Sequence, residues 1–224
     1  DQFDMHQTSL GGIYAITSLA YNGLLATNPY DPQGLEVIPD LARTWELSDG
    51  GATVTFHLAE GVKWHDGAPF SSADVKYSLE RMKDPPEGMV SPRQGIIRSL
   101  VDTIDAPDAN TVVINGKGPS GLLVPLWSNG WMAIIAKHIV EPDPINALKS
   151  VMVGTGAFVL KENTTTFFRF ERNPDYFEDG LPYLDEIEIN VITDSQTVAN
   201  NVLTERIYWT GPFRHPNLGP DLGA

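Results

Sequence analysis

The side chains best suited to chemistry are scattered along this chain. Its five histidines, His6, His57, His65, His138 and His215, make no HExxH or His-x-His pair of the kind that holds zinc. There is no cysteine, which removes disulfides, thiol chemistry and thiolate metal sites. No GxSxG elbow, P-loop or GxGxxG turn is present. Asp185-Glu186, and Asp102 with Asp105, supply the residue types of a hydrolase. In a chain with 29 Asp and Glu, such pairs read first as a solvated face. No catalytic residue, metal ligand or cofactor is assigned.

Composition narrows the partners. The chain has 224 residues, enough for one large or two small domains around a sizeable core. It is 42% hydrophobic and 20% charged, ordinary for a folded protein. A net charge of −14, with a pI near 4.6, repels nucleic acid and anionic membrane, so neither is expected as a partner. The longest apolar run, residues 121–135, is broken by Pro125, Asn129 and Gly130 and is too short to span a bilayer. No signal-peptide pattern opens the chain at Asp1, so any such segment is expected to have been removed or left out.

The elements that must position the polar residues can be read in order. Ile13, Ile16, Leu19, Ala20 and Leu24 have helical spacing, predicting a helix over residues 13–25 that ends near Gly23. Residues 44–47 and 52–58 flank Ser48-Asp49-Gly50-Gly51 and predict a hairpin, with Val54, Phe56 and Leu58 on its buried face. Ser71 and Asp74 form a capping box, with Phe70 and Val75 at staple positions, opening a helix that runs to about Lys83 before Pro85-Pro86. A short helix is expected over residues 93–101, a strand over 111–114, a helix over 119–126 and a strand over 131–135. A Gly-rich turn at 153–158 leads into a strand. Further strands are expected at 166–172 and 187–191, and a helix at 195–203. Residues 209–224, with Pro212, Pro216 and Pro220, offer no periodic element.

Four ordered blocks carry a family resemblance. They are Leu19-Ala20-Tyr21-Asn22-Gly23-Leu24-Leu25, then residues 41–82 with Trp64-His65-Asp66-Gly67, then Gly154-Thr155-Gly156-Ala157-Phe158. The last is Arg172-Asn173-Pro174-Asp175-Tyr176-Phe177, followed by Pro182-Tyr183-Leu184-Asp185-Glu186-Ile187. Together they resemble the family 5 extracytoplasmic solute-binding proteins, receptors of peptide, opine and nickel ABC importers. The chain departs from that pattern at Glu205-Arg206-Ile207-Tyr208, where the family usually reads Gly-Glu-Ile-Asp.

The resemblance implies an α/β, periplasmic-binding-protein-like fold of class II with mixed sheets. It implies lobe I only, with residues 41–150 as a small subdomain inserted into a main part built from residues 1–40 and 151–224. Family members are longer and close two lobes on a ligand by hinge motion, so this chain is expected to be an N-terminal fragment. The implied function is capture of an oligopeptide or similar solute, without catalysis, for an ABC importer permease. The protein is expected to be monomeric and periplasmic or at the cell surface. A sugar oligomer or metal chelate is the alternative ligand within the family.

The ligand-facing loops implied by the resemblance carry Asn22, Arg93, Gln94, Asn129, Trp131, Thr155 and Trp209. The residue chemistry leaves two readings at most of them. Asn22, beside Gly23, bonds a ligand or satisfies its own turn. Arg93 pairs with a ligand carboxylate or is a solvated surface charge. Of Trp127 and Trp131, one stacks on a solute and one is core. Trp64 is expected to plug a core and His65 and Asp66 to fix a turn, outside the site.

Overall fold

In the computed structural model, residues 3–208 are described, and Trp209 lies outside them. Helix α1 (Gly11–Thr17) leads to a two-stranded sheet of β1 (Leu25–Thr27) and β2 (Val37–Pro39). Strands β3 (Ala42–Ser48) and β4 (Thr53–Leu58) follow, then helices α2 (Ser72–Lys83) and α3 (Gln94–Leu100), then β5 (Val101–Asp108) and β6 (Thr111–Gly116). These four strands make an antiparallel sheet of order β3-β4-β6-β5. After helix α4 (Lys137–Val140), strands β7 (Phe158–Asn163), β8 (Phe167–Arg172) and β9 (Glu186–Asn190) form an antiparallel three-stranded sheet, and α5 (Ser195–Leu203) follows.

The expected hairpin is β3–β4, with Trp45 opposite Phe56 and Leu47 opposite Val54. Its turn needs left-handed backbone at Asp49, Gly50 and Gly51, with φ of 52°, 67° and 93°, which the two glycines adopt without a Cβ clash. The alternation places Val54, Phe56 and Leu58 inside, beside Val112 and Ile114 of β6. The expected capping geometry opens α2: the Ser71 N–H donates to Asp74 Oδ2 at 2.9 Å. Val75, Leu79 and Met82 of α2 join the same apolar cluster as the sheet, together with Trp64 and Trp127.

A second cluster lies around the β7–β9 sheet. It contains Phe158, Phe168 and Phe170 with Phe3, Met5, Ile16, Ala20, Tyr21 and Leu148. Between the two cores runs the segment 132–136, buried throughout. Met132, Ile134 and Ala136 belong to the first cluster, and Ala133 and Ile135 to the second. This is the two-residue period of an extended chain with apolar packing on both faces. The expected strand here is extended but belongs to no sheet. Its backbone groups are bonded one at a time. The Ile134 N–H donates to Asn22 O at 2.9 Å, the Ile135 N–H to Ser78 Oγ at 3.0 Å and the Lys137 N–H to Asp74 Oδ1 at 3.0 Å. The Ala133 carbonyl accepts from His6 Nε2 at 2.8 Å.

Two other expectations change, and one strand appears where none was expected. The helix expected over 13–25 stops at Thr17, and Leu25 begins a strand instead. The carbonyls of Leu19 and Ala20 are taken by the N–H groups of Phe158 and Gly156, at 3.1 and 2.8 Å, so they cannot continue a helical ladder. The helix expected over 119–126 reduces to a single 3-10 turn at Pro125–Ser128, as proline supplies no N–H to an α-helical ladder. Strand β5 was unreadable because its buried residues, Val101 and Ile104, are three apart. A register shift between Val101 and Thr103 accounts for that spacing.

His6, Asp4 and Arg81 tie the N-terminal segment to α2 inside the protein. All three are buried. Arg81 NH1 donates to Asp4 Oδ1 at 3.2 Å and to His6 Nδ1 at 3.0 Å. Because His6 accepts at Nδ1, its proton sits on Nε2, facing the Ala133 carbonyl. Burial, reinforced by the Arg81 charge, pushes the imidazole down to about 4. Burial works against ionisation of Asp4, but the Arg81 hydrogen bonds and the nearby charges outweigh it and hold the carboxyl below its ordinary range.

Two measurements follow. Ser78→Ala strands the buried Ile135 N–H and is expected to lower stability by about 1–3 kcal/mol in denaturant unfolding. Unchanged stability would mean that this bond contributes nothing. For His6 the folded pKa lies below the ordinary value, so its stabilisation is complete above about pH 6.5 and is lost as pH falls toward 4. Compared with His6→Gln, the native chain is expected to show extra loss across that window, up to about 1.4 kcal/mol per pH unit. Parallel pH curves for the two proteins would contradict this.

Candidate ligand site

The expected site residues fall into two sets joined by the 127–136 segment. The first centres on Asn22, which is half-buried just before β1. Its Nδ2 donates to Asp40 Oδ1 at 2.7 Å, and its Oδ1 accepts from Thr155 Oγ1 at 3.0 Å. The Tyr176 hydroxyl also faces this amide. Asp40 Oδ2 takes the Gly23 N–H at 2.9 Å. Burial pushes the Asp40 carboxyl up to about 7, against the pull of its hydrogen bonds to Gly23 and Asn22. Nearby Arg43 is already engaged, paired with Glu178 and set over the Phe177 ring at 5.1 Å.

Thr155 itself is only 1% exposed, so it reaches the surface through Asn22. Its turn is clamped from two sides. On one side His65 Nε2 donates to Gly156 O at 2.9 Å, while the Gly154 N–H donates to His65 Nδ1 at 3.3 Å. On the other, Gly154 and Gly156 press on the chain at residues 19–21. A Cβ on Gly154 would lie 1.7 Å from the Ala20 carbonyl oxygen. Burial lowers the His65 pKa and favours the neutral ring that both contacts require. Trp64 is buried in the first core.

The second set centres on Arg93, at the start of α3. Its guanidinium lies over the Trp131 ring, 4.7 Å from the centroid, and the Tyr14 ring also packs on Trp131, tilted, at 5.0 Å between centroids. Arg93 is 8% exposed, which removes the solvated-surface reading, and burial lowers its pKa. One N–H reaches the Thr8 carbonyl, and no carboxylate pairs with it among the described residues. Two residues earlier, Ser91 Oγ is buried without a hydrogen-bond partner among the described residues. Gln94 is half-buried on the first turn of α3. Asn129 is exposed, and its Oδ1 accepts the Trp131 N–H at 3.0 Å. Trp127 is the core indole and Trp131 the half-buried one.

Sequence reasoning missed Asp40, Tyr14 and Tyr176 in this arrangement. Each lies in an ordinary turn or helix context, and only the fold sets them beside Asn22 or Trp131. His65 did carry a signal, the Trp-His-Asp-Gly loop, but its target in the turn ninety residues on was not legible.

Mixed α/β architecture with several small sheets, and polar loops gathered around a half-buried amide and a buried guanidinium, is that of a periplasmic-binding-protein lobe. The pattern described as "Bacterial extracellular solute-binding proteins, family 5 Middle" matches residues 36–217, and the chain belongs to this family. It is similar to the glutathione-binding protein GsiB of Escherichia coli K12, 31% identical over 174 residues, covering 77% of this chain and 33% of that protein. Among solved structures it is similar to the binding protein AgaA of A. tumefaciens R10 in complex with agropinic acid. That match has a TM-score of 0.83 and 25% identity, and covers 92% of this chain and 40% of the other. DppA of Helicobacter pylori in complex with the peptide STSA matches with TM-score 0.81 and 25% identity, covering 93% and 44%. The chain spans about a third of the length of the curated relatives it matches.

Gly154→Ala is expected to cost about 3 kcal/mol or more, because the Ala20 carbonyl in its path is backbone that cannot turn aside. Thermal unfolding checks this. A fully stable variant would show that the turn is free to back away from residues 19–21.

Proposed function

We propose that this chain forms part of a receptor that captures a carboxylate-bearing solute, an oligopeptide foremost, for an ABC importer, with no chemical step. The observation that carries the reading is Arg93: a buried guanidinium on an indole face, without a carboxylate partner among the described residues, next to the orphan Ser91 hydroxyl. A buried cation is costly unless paired, and a bidentate carboxylate is the partner its planar fork fits best. Asn22, seated by Thr155, offers amide hydrogen bonds. Trp131 supports the arginine, and Gln94, Asn129 and Trp209 are kept as proposed contacts.

Family membership supports the receptor role, since these are extracellular solute-binding proteins. Relatives whose names or titles specify glutathione, agropinic acid or a peptide support a solute with a carboxylate. The partner is an ABC permease, the receptor acts as a monomer, and its location is the periplasm or cell surface. Residues 41–150 serve as the inserted subdomain and 1–40 with 151–224 as the main part of the lobe; the two apolar clusters follow this division only in part, since Leu24 and Leu25 join the first and Ala133, Ile135, Val140 and Leu148 the second.

The test is calorimetry with a tetrapeptide, its C-terminal amide and reduced glutathione, with native mass spectrometry of the purified chain for any retained solute. The free-acid peptide is expected to bind at least about tenfold more tightly than the amide, and Arg93→Ala to remove that difference. Equal affinity for acid and amide, or an unaffected Arg93→Ala, would return Arg93 to a purely structural role. Recovery of cleaved peptide would replace the receptor reading with a hydrolase.

A further inference from the structure

The Asn22 amide is held at both ends, and the two ends differ in kind. At one end stands a carboxyl group, Asp40. At the other stands a hydroxyl, Thr155 Oγ1, at 3.0 Å. A carboxylate only accepts hydrogen bonds, so an ionised Asp40 requires the NH₂ side of Asn22 to face it, as seen. A hydroxyl donates or accepts, so the hydroxyl end tolerates either orientation of the amide.

Asp40 has no compensating ion pair among the described residues. The charged and titratable groups around it are Arg43 on β3, Glu178, whose charge opposes its ionisation and which occupies Arg43, and Tyr176. Its Oδ2 is fixed as an acceptor by the Gly23 N–H, which leaves Oδ1 as the oxygen to protonate.

We propose that Asp40 is a positioning residue of the solute face: its charge state decides which way round the Asn22 amide is held, and so which group that amide offers a solute. One proton from solvent adds to Asp40 Oδ1. That O–H then confronts the Asn22 NH₂, and the amide turns over to present its oxygen to the acid and its NH₂ to Thr155. The number of hydrogen bonds at the two ends is unchanged, but the buried Thr155 O–H gives up its acceptor, which sets a cost that protonation of Asp40 must exceed. With Asp40 ionised, the Asn22 NH₂ is held on the Asp40 side, where a solute acceptor would share its second N–H with Tyr176. With Asp40 neutral, the NH₂ is turned inward. Burial raises the Asp40 carboxyl to about 7, so the exchange is expected near neutral pH.

The inference rests on the proposed place of Asn22 on the solute face, but its test uses no solute. The Asn22 side-chain amide and the Asp40 carboxyl are followed by NMR in the full chain from about pH 5 to about pH 9. Both signals are expected to shift with one shared midpoint near 7. In Asp40→Asn the Asn22 shift is expected to be lost. An Asn22 amide that does not move, that titrates at a different midpoint from Asp40, or that still titrates in Asp40→Asn overturns the inference. Should Asp40→Asn fail to fold, the two midpoints in the native chain decide alone. A failure of the solute-capture reading shows separately, as absent peptide binding in calorimetry, and leaves this titration untouched.

Discussion

The structure depends on one short segment, residues 132–136, passing between two cores. Its side chains alternate between clusters, which fixes its register on both faces at once. A buried extended chain outside any sheet must find a partner for each polar backbone group. Here those partners are Ser78 from α2, His6 from the N-terminal segment and the carbonyl of Asn22, with Asp74 of α2 taking the N–H of Lys137 just beyond. The packing of α2 on its sheet, the docking of the N-terminal segment and the position of Asn22 are therefore coupled through one strip of backbone. Trp131 stands immediately before that strip, so the indole that supports Arg93 is anchored by the same contacts.

The polar residues of the proposed solute face depend on others that never touch a solute. Thr155 is buried and works by seating Asn22. His65 is remote in sequence and works by seating the turn of Thr155. Glycine at 154 and 156 is required because the turn meets the Ala20 backbone at a distance no Cβ allows. His65 is thus structural, as its sequence context suggested, yet what it holds is the turn beneath the proposed site. Arg93 is the opposite case. Its stack on Trp131 and its bond to Thr8 orient the guanidinium without neutralising it, which is the condition expected of a group kept ready for an anion.

A face of this kind engages one side of a ligand. The chain spans about a third of its curated relatives, and the fold it shares with the solved binding proteins covers less than half of theirs. Desolvation from a second side contributes much of the affinity in a cleft. On the proposed reading, the residues of this face would therefore contribute orientation and charge recognition more than total binding strength.

The sequence alone determined the local elements and the family. The β3–β4 turn, the capping box at Ser71 and Asp74, and the alternation of Val54, Phe56 and Leu58 are short-range constraints. Each is settled by residues within a few positions of one another. The tertiary structure decided whatever depends on partners far along the chain. It ended α1 at Thr17 because residues 156 and 158 claim its next carbonyls. It kept residues 132–136 extended but unpaired because cores lie on both sides. It set Asp40 against Asn22, and Trp131 beneath Arg93. Backbone satisfaction and burial are properties of the whole packed chain, so no local pattern of residue types could carry them.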